Sequence, residues 1–153
     1  MSLGKQALII GGGGGIGSAV ARRLAADGFD LVVSCSHDVS RLDGLRKSVE
    51  DLGRNFHALE FRVEDRTAAA EALLGFFGDS APEAVIYNAG IARDNLFVFM
   101  SGEEWDSVIR TNLDGFYNSV QPLLMGMMAK RSGRIVVISS ASGQAGQAGQ
   151  HHV

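Results

Sequence analysis

Apolar residues recur along this chain in two alternating rhythms. Ala7-Leu8-Ile9-Ile10 is a continuous apolar run, and Ile16, Val20 and Leu24 then return at helical spacing. The run reads as a strand covered on both faces, from Gln6 to Ile10. The spaced residues read as an amphipathic helix over Gly15 to Asp27, with Gly28 as its stop. The same alternation continues. Leu31-Val32-Val33 is a second strand, and Leu42, Leu45, Val49 and Leu52 mark a second helix closed by Gly53. Phe56 to Val63 is a third strand, followed by an Ala- and Leu-rich helix over Arg66 to Phe77. Glu83 to Asn88 is a fourth strand. Ser101-Gly102-Glu103-Glu104 reads as an N-cap with acidic first-turn residues, opening a long, interrupted helix that reaches Lys130. Arg134 to Ser139 is a fifth strand. Strand and helix alternating in this way predict an α/β fold, a doubly wound parallel sheet of Rossmann type with five strands. In such sheets ligands bind beyond the carboxyl ends of the strands, where the strand order reverses. Residues 1–143 therefore form an incomplete dinucleotide-binding domain. The Gly/Gln/Ala repeat from Gln144 to Val153 has no hydrophobic period and is expected to be a disordered tail.

The first strand runs directly into Gly11-Gly12-Gly13-Gly14-Gly15-Ile16-Gly17. Glycine serves where backbone must turn sharply and approach a ligand closely. The helix behind it aims unpaired N–H groups and the positive end of its dipole at the turn, a place for a phosphate or pyrophosphate. Two registers fit. Gly12, Gly14 and Gly17 match G-x-G-x-x-G, and Gly11, Gly15 and Gly17 match a wider spacing. A mononucleotide P-loop requires Lys after the last glycine, and Ser18 stands there. A dinucleotide is the expected ligand, and a bare glycine turn is the competing reading.

Composition narrows the classes. The chain has 153 residues, 46% hydrophobic and 20% charged, with a formal net charge of −3, so it is one globular domain with a core. No Lys/Arg cluster favours nucleic acid. No apolar run approaches the ~18 residues of a membrane span. Cys35 is the single cysteine, which excludes an internal disulfide and suits a reducing cytoplasm. No secretory leader is expected, since the amino end goes straight into a strand.

With these elements placed, the chain resembles the short-chain dehydrogenases/reductases, and within them the bacterial beta-ketoacyl-[acyl-carrier-protein] reductases. Four motifs carry the likeness. They are Ile10 to Gly17 for the glycine turn, Asn88-Ala89-Gly90 after strand four, Thr111-Asn112-Leu113-Asp114-Gly115, and Ile138-Ser139-Ser140-Ala141-Ser142-Gly143 after strand five. Ile91 to Leu96 and Glu103-Glu104-Trp105 resemble the acyl-carrier enzymes in particular. The resemblance implies a fatty-acid-synthesis enzyme, a homo-oligomer, that reduces a ketone on an acyl-carrier or small-molecule substrate. Ser140 would hold the substrate carbonyl oxygen, and Asn112 would bend its helix and hold a water of the proton relay. The cofactor would touch Gly11, Gly12, Gly13, Gly14, Gly15, Ile16, Gly17, Ser36, His37, Val63, Asn88, Ala89 and Gly90. Arg93 and Arg131 are candidate contacts for an acidic carrier.

The departures from the family pattern matter as much. Counting on from Ser140, the tyrosine of the family's Tyr-x-x-x-Lys falls at Val153, and no Tyr or Lys follows Lys130. The expectation is a cofactor half without its proton donor, unable to reduce a ketone by itself. A non-catalytic nucleotide-binding or interaction protein is the alternative. Ile10 replaces a Thr that stitches the turn, Arg62-Val63 stands where Asp-Val flanks the adenine, and Gly14 stands where NADP-dependent members often carry Arg. Cys35 and Ser36 end strand two where an NAD enzyme would place Asp, and His37 and Arg41 are poised for a 2′-phosphate. The lean is to NADP, with NAD favoured only if strand two extends to Asp38.

The remaining candidates have plainer readings. His151-His152 reads as tag-like rather than a metal site, so no metal is expected. His57 is read as a half-exposed packing residue and Cys35 as a small buried hydrophobe. Met125, Met127 and Met128 are read as helix core or an oligomer seam, and Asn88 as a structural bridge between strands.

Overall fold

The computed structural model describes residues 5–146 and Gly149. Five parallel strands form one sheet: β1 (Gln6–Ile10), β2 (Asp30–Cys35), β3 (Phe56–Glu60), β4 (Ala84–Tyr87) and β5 (Arg134–Val137). Their spatial order is β3-β2-β1-β4-β5. The order reverses between β1 and β4, whose registers pair Ala7 with Ala84 and Ile10 with Tyr87. That is the switch point at which open α/β sheets bind ligands.

Six helices cover the sheet: α1 (Gly15–Ala26), α2 (Asp43–Glu50), α3 (Arg66–Phe77), α4 (Gly102–Ile109), α5 (Gly115–Val120) and α6 (Leu124–Lys130). Because successive side chains in a strand face opposite ways, β1 feeds two cores. Ala7 and Ile9 pack with Leu31, Val33, Leu45 and Val49 under α1 and α2. Leu8 and Ile10 pack with Leu73, Phe77, Val85 and Leu123 under α3, α5 and α6. Burying both faces explains the unbroken apolar strands. β5 differs: Ile135, Val136 and Val137 are exposed, as is Ile138 beyond it.

The helix ends follow local chemistry. Gly28 and Gly53 stop their helices at φ 92° and 71°. Asp65 caps α3 by accepting the Ala68 N–H at 3.0 Å. Ser101 and Glu104 form a reciprocal capping box at α4. The predicted interruption of the long helix is a π segment, Arg110–Asp114, followed after α5 by a 3₁₀ turn at Gln121–Leu123. Several expectations shift: β4 and β5 are shorter than expected, β5 ending at Val137 rather than Ser139. β2 runs on to Cys35, beyond the apolar core of Leu31 to Val33. β3 stops at Glu60, although Phe61 and Val63 remain buried. Ile16 is exposed, while Val20 and Leu24 pack half-buried against the core beside the fully covered Gly17, Ala21 and Ala25.

In the expected tail, Ser142–Ala145 makes a helical turn and the Gly149 carbonyl accepts the Asn95 N–H at 3.0 Å. Gln147, Ala148, Gln150, His151, His152 and Val153 lie outside the described residues. Met127 is core, while Met125 and Met128 are on the surface. His57 is exposed and stacks on Phe76 with ring centroids 4.4 Å apart.

Candidate active site

The glycine run divides by what surrounds each residue. Gly11 sits at φ 77°, and a Cβ there would come 2.8 Å from the Ala89 backbone. A Cβ on Gly12 would strike Val33 at 2.2 Å, and one on Gly17 would lie 2.6 Å from the Gly11 carbonyl oxygen. These three let the turn close on itself. Around Gly14 and Gly15 nothing stands within 4 Å. Open space there, at the start of a 12-residue helix whose N-cap has no side-chain partner, leaves the first N–H groups of α1 for a ligand.

A cavity of about 470 Å³ opens at this point. Gly11, Gly14, Gly15 and Ile16 form one side, Ser34, Cys35 and Ser36 the end of β2, and Phe61, Val63 and Glu64 the exit of β3. Asn88, Ala89, Gly90 and Ile91 form the far wall. Gly12, Gly13 and Gly17 shape the turn without lining this space. His37 also stays outside the lining, its ring nitrogen paired with the Ser36 hydroxyl at 2.8 Å. Asp38 adopts a left-handed conformation at φ 59° and accepts the Ser40 N–H, which caps the following 3₁₀ turn. The Ser40 hydroxyl, and then this backbone bond, hold its carboxyl below its usual range. Its side chain is thus engaged with its own loop. Burial, and then the Glu60 charge, push the Cys35 thiol up, so it stays neutral.

Two polar side chains hold the turn. Asn88 donates to the Gly11 carbonyl at 2.9 Å, joining β4 to the turn as a structural bridge. The Ser34 hydroxyl accepts the Gly11 N–H at 3.3 Å. Ser34 went unnoticed in the sequence; a lone hydroxyl in an apolar strand next to a glycine turn is its signal.

A second cavity, about 620 Å³, shares the wall Asn88 to Ile91 with the first. It brings Asn112 and Ser140 together. The Asn112 amide grips Ile91 twice, accepting its N–H at 2.9 Å and donating to its carbonyl at 3.0 Å. Ser140 is exposed, and its hydroxyl oxygen accepts the Ser142 N–H at 3.1 Å. Arg93 is exposed on the loop after β4. Arg131 ends α6 in a left-handed turn just before β5, at the amino edge of the sheet, so the fold does not bring it to this site.

Sequence reasoning also missed a network beside these residues. Tyr87, buried at the end of β4, donates to the Thr111 carbonyl, and Thr111 donates its hydroxyl to Glu64 at 2.7 Å. Burial, then the Glu64 charge, push the Tyr87 hydroxyl well above its usual value. Burial works to raise the Glu64 carboxyl, but the Thr111 hydroxyl, a backbone N–H and Arg62 outweigh it and lower the carboxyl overall. Arg62 itself swings out and pairs with Glu64 at 3.6 Å.

A family model for the short chain dehydrogenase matches residues 5–152. The chain belongs to the short-chain dehydrogenase family. Among its relatives is a 3-oxoacyl-[acyl-carrier-protein] reductase of Aggregatibacter actinomycetemcomitans, 45% identical over 145 residues, covering 94% of this chain and 60% of that protein. An acetoacetyl-CoA reductase of Cupriavidus necator is 39% identical over 145 residues, covering 94% and 59%. A 3-oxoacyl-[acyl-carrier-protein] reductase of Staphylococcus aureus is 33% identical over 153 residues, covering 98% and 61%. This short-chain dehydrogenase therefore spans about three-fifths of the length of the curated relatives it matches. The likeness covers all four motifs of the site. Among the described residues, no helix is long and apolar enough to cross a membrane.

Proposed function

We propose that this chain supplies the NADP-binding and carbonyl-orienting part of a reductase acting on 3-oxoacyl thioesters. The observation that carries the reading is the wall Asn88 to Ile91, which borders the glycine cavity on one side and the Ser140–Asn112 cavity on the other. The amino end of α1 would hold a dinucleotide's pyrophosphate, and the far side of the wall would leave Ser140 to face the substrate carbonyl. The residues fit such a ligand: Gly14 and Gly15 leave the space a Cβ would enter, and the helix mouth lacks a side-chain cap.

The bound nicotinamide would supply hydride. The chain's own residues do the rest. Ser140 donates its hydroxyl proton toward the carbonyl oxygen, where negative charge grows during reduction. Both amide atoms of Asn112 are engaged with Ile91, so its part in a proton path runs through the main chain of the widened π turn. Within these 153 residues no Tyr-x-x-x-Lys pair follows Ser140. A polypeptide of these residues alone is expected to bind cofactor without turning over acetoacetyl thioesters.

NADP is favoured over NAD because Cys35, the last residue of β2, and Ser36 after it carry no acidic side chain, and Asp38 is engaged with Ser40. The names of the relatives support a 3-oxoacyl thioester as substrate. Arg93 suits an acidic carrier. Leu113, Tyr117, Met125 and Met128, exposed along the π segment, α5 and α6, suit a second copy of the chain.

The test is titration of the purified chain with NADPH and NADH, followed by nicotinamide fluorescence. Saturable NADPH binding, weaker for NADH and lost in Gly17→Ala, is expected. No binding by a folded chain overturns the reading. Turnover with acetoacetyl thioester would overturn the expected inactivity. Binding of a different nucleotide class would favour a non-catalytic nucleotide-binding protein.

A further inference from the structure

We propose that Glu64 is a positioning residue that acts through Thr111 to hold the Asn112 clamp on Ile91, the wall between the two cavities. Thr111 is fixed at both ends. Its hydroxyl donates to the Glu64 carboxylate at 2.7 Å, and its carbonyl accepts the Tyr87 hydroxyl. It lies in the π segment Arg110–Asp114, next to Asn112. A π turn has a wider, less regular hydrogen-bond ladder than an α-helix and so needs outside contacts to fix its register. Glu64 supplies one from the exit of β3, and Tyr87 supplies another from the end of β4.

The geometry makes the chain of contacts continuous. Glu64 fixes Thr111, Thr111 sets the adjoining Asn112, and Asn112 holds both the N–H and the carbonyl of Ile91. A carboxylate accepting a hydroxyl makes a charge-assisted bond, stronger than a neutral pair. Its loss loosens Ile91 locally. The global fold rests on β1 and the two cores, which Glu64 does not join.

This inference deepens the functional reading above, but its test needs no cofactor, so either can fail without the other. Amide hydrogen exchange is followed residue by residue in the full 153-residue chain. In Glu64→Ala and in Thr111→Val, exchange at the Ile91 N–H is expected to speed about tenfold, the size expected for a hydrogen bond to a charged group. The double variant is expected to match either single one, and Glu64→Gln, which keeps an acceptor oxygen but not the charge, to fall between wild type and Glu64→Ala. Leu8 and Ile9 in β1, which exchange through global unfolding, serve as the control and are expected to speed clearly less than Ile91. Equal acceleration at Ile91 and β1 would mean general destabilisation and overturn the proposal. So would additive single effects, or an unchanged Ile91.

Discussion

The Asn88 side chain and the Gly11 carbonyl, 77 residues apart in sequence, meet at 2.9 Å. The Asn88 backbone N–H also bonds to Ile10 at 3.0 Å. The end of β4 thus holds the first peptide of the glycine turn in place. Asn88→Ala removes a part-buried bond and is expected to cost about 1–2 kcal/mol. Asn88→Asp sets a carboxylate oxygen against a carbonyl oxygen and adds negative charge near the pyrophosphate position. It is expected to cost more in stability and to abolish measurable dinucleotide binding. Urea unfolding and cofactor titration of the two variants check the order.

The glycines of the turn separate into two kinds that substitution distinguishes. At Gly17 a Cβ would meet the Gly11 carbonyl at 2.6 Å and the Gly12 Cα at 2.8 Å, so backbone must move. Gly17→Ala is expected to destabilise by about 2–3 kcal/mol. At Gly14 there is no neighbour within 4 Å and φ is −85°, which any residue adopts. Gly14→Ala is expected to leave stability within about 0.5 kcal/mol while weakening dinucleotide binding. Thermal unfolding with and without NADPH reads both. A stable Gly17→Ala chain would contradict the turn geometry.

How far the sequence carries depends on what each residue touches. Helix α3 follows its pattern from Arg66 to Phe77 because Asp65 caps one end and Gly78 releases the other. The Ser101–Glu104 capping box is local and therefore readable. β3 overran its true end because burial outlasts hydrogen bonding. The Phe61 N–H makes a last bond to the Cys35 carbonyl at 3.0 Å, and Val63 keeps apolar partners under α3 beyond it. The π segment leaves apolar periodicity almost unchanged, so a break was foreseen but not its form. Ser34, Glu64 and Tyr87 escaped notice because their partners lie 23, 47 and 24 residues away. Only the fold puts those partners alongside.

The rim of the first cavity offers a direct handle on cofactor choice. Ser36, the first residue after β2, stands there uncharged and exposed. A carboxylate at the end of this strand accepts from a free ribose 2′-hydroxyl and repels a 2′-phosphate. Ser36→Asp is therefore expected to weaken NADPH binding about tenfold or more, and to leave NADH binding equal or stronger. Parallel fluorescence titrations give both constants. An unchanged NADPH constant would mean that the 2′-phosphate lies elsewhere.

Glu64 makes stability depend on acid in a direction its contacts define. Burial opposes its charge, but the Thr111 hydroxyl, a backbone N–H and Arg62 outweigh burial, so its folded-state pKa lies below the ordinary 4.5. A carboxyl with a depressed folded pKa binds protons more readily when unfolded. It contributes its full stabilisation above about pH 4.5 and loses it as pH falls through the lower folded value. Thr111→Val removes the strongest of the lowering contacts. The variant is expected to be less stable than wild type near neutrality and to lose less further stability between about pH 5 and about pH 3. Melting temperatures across that range check the slope. Parallel acid curves for wild type and variant would show that the Thr111 hydroxyl does not hold this proton off.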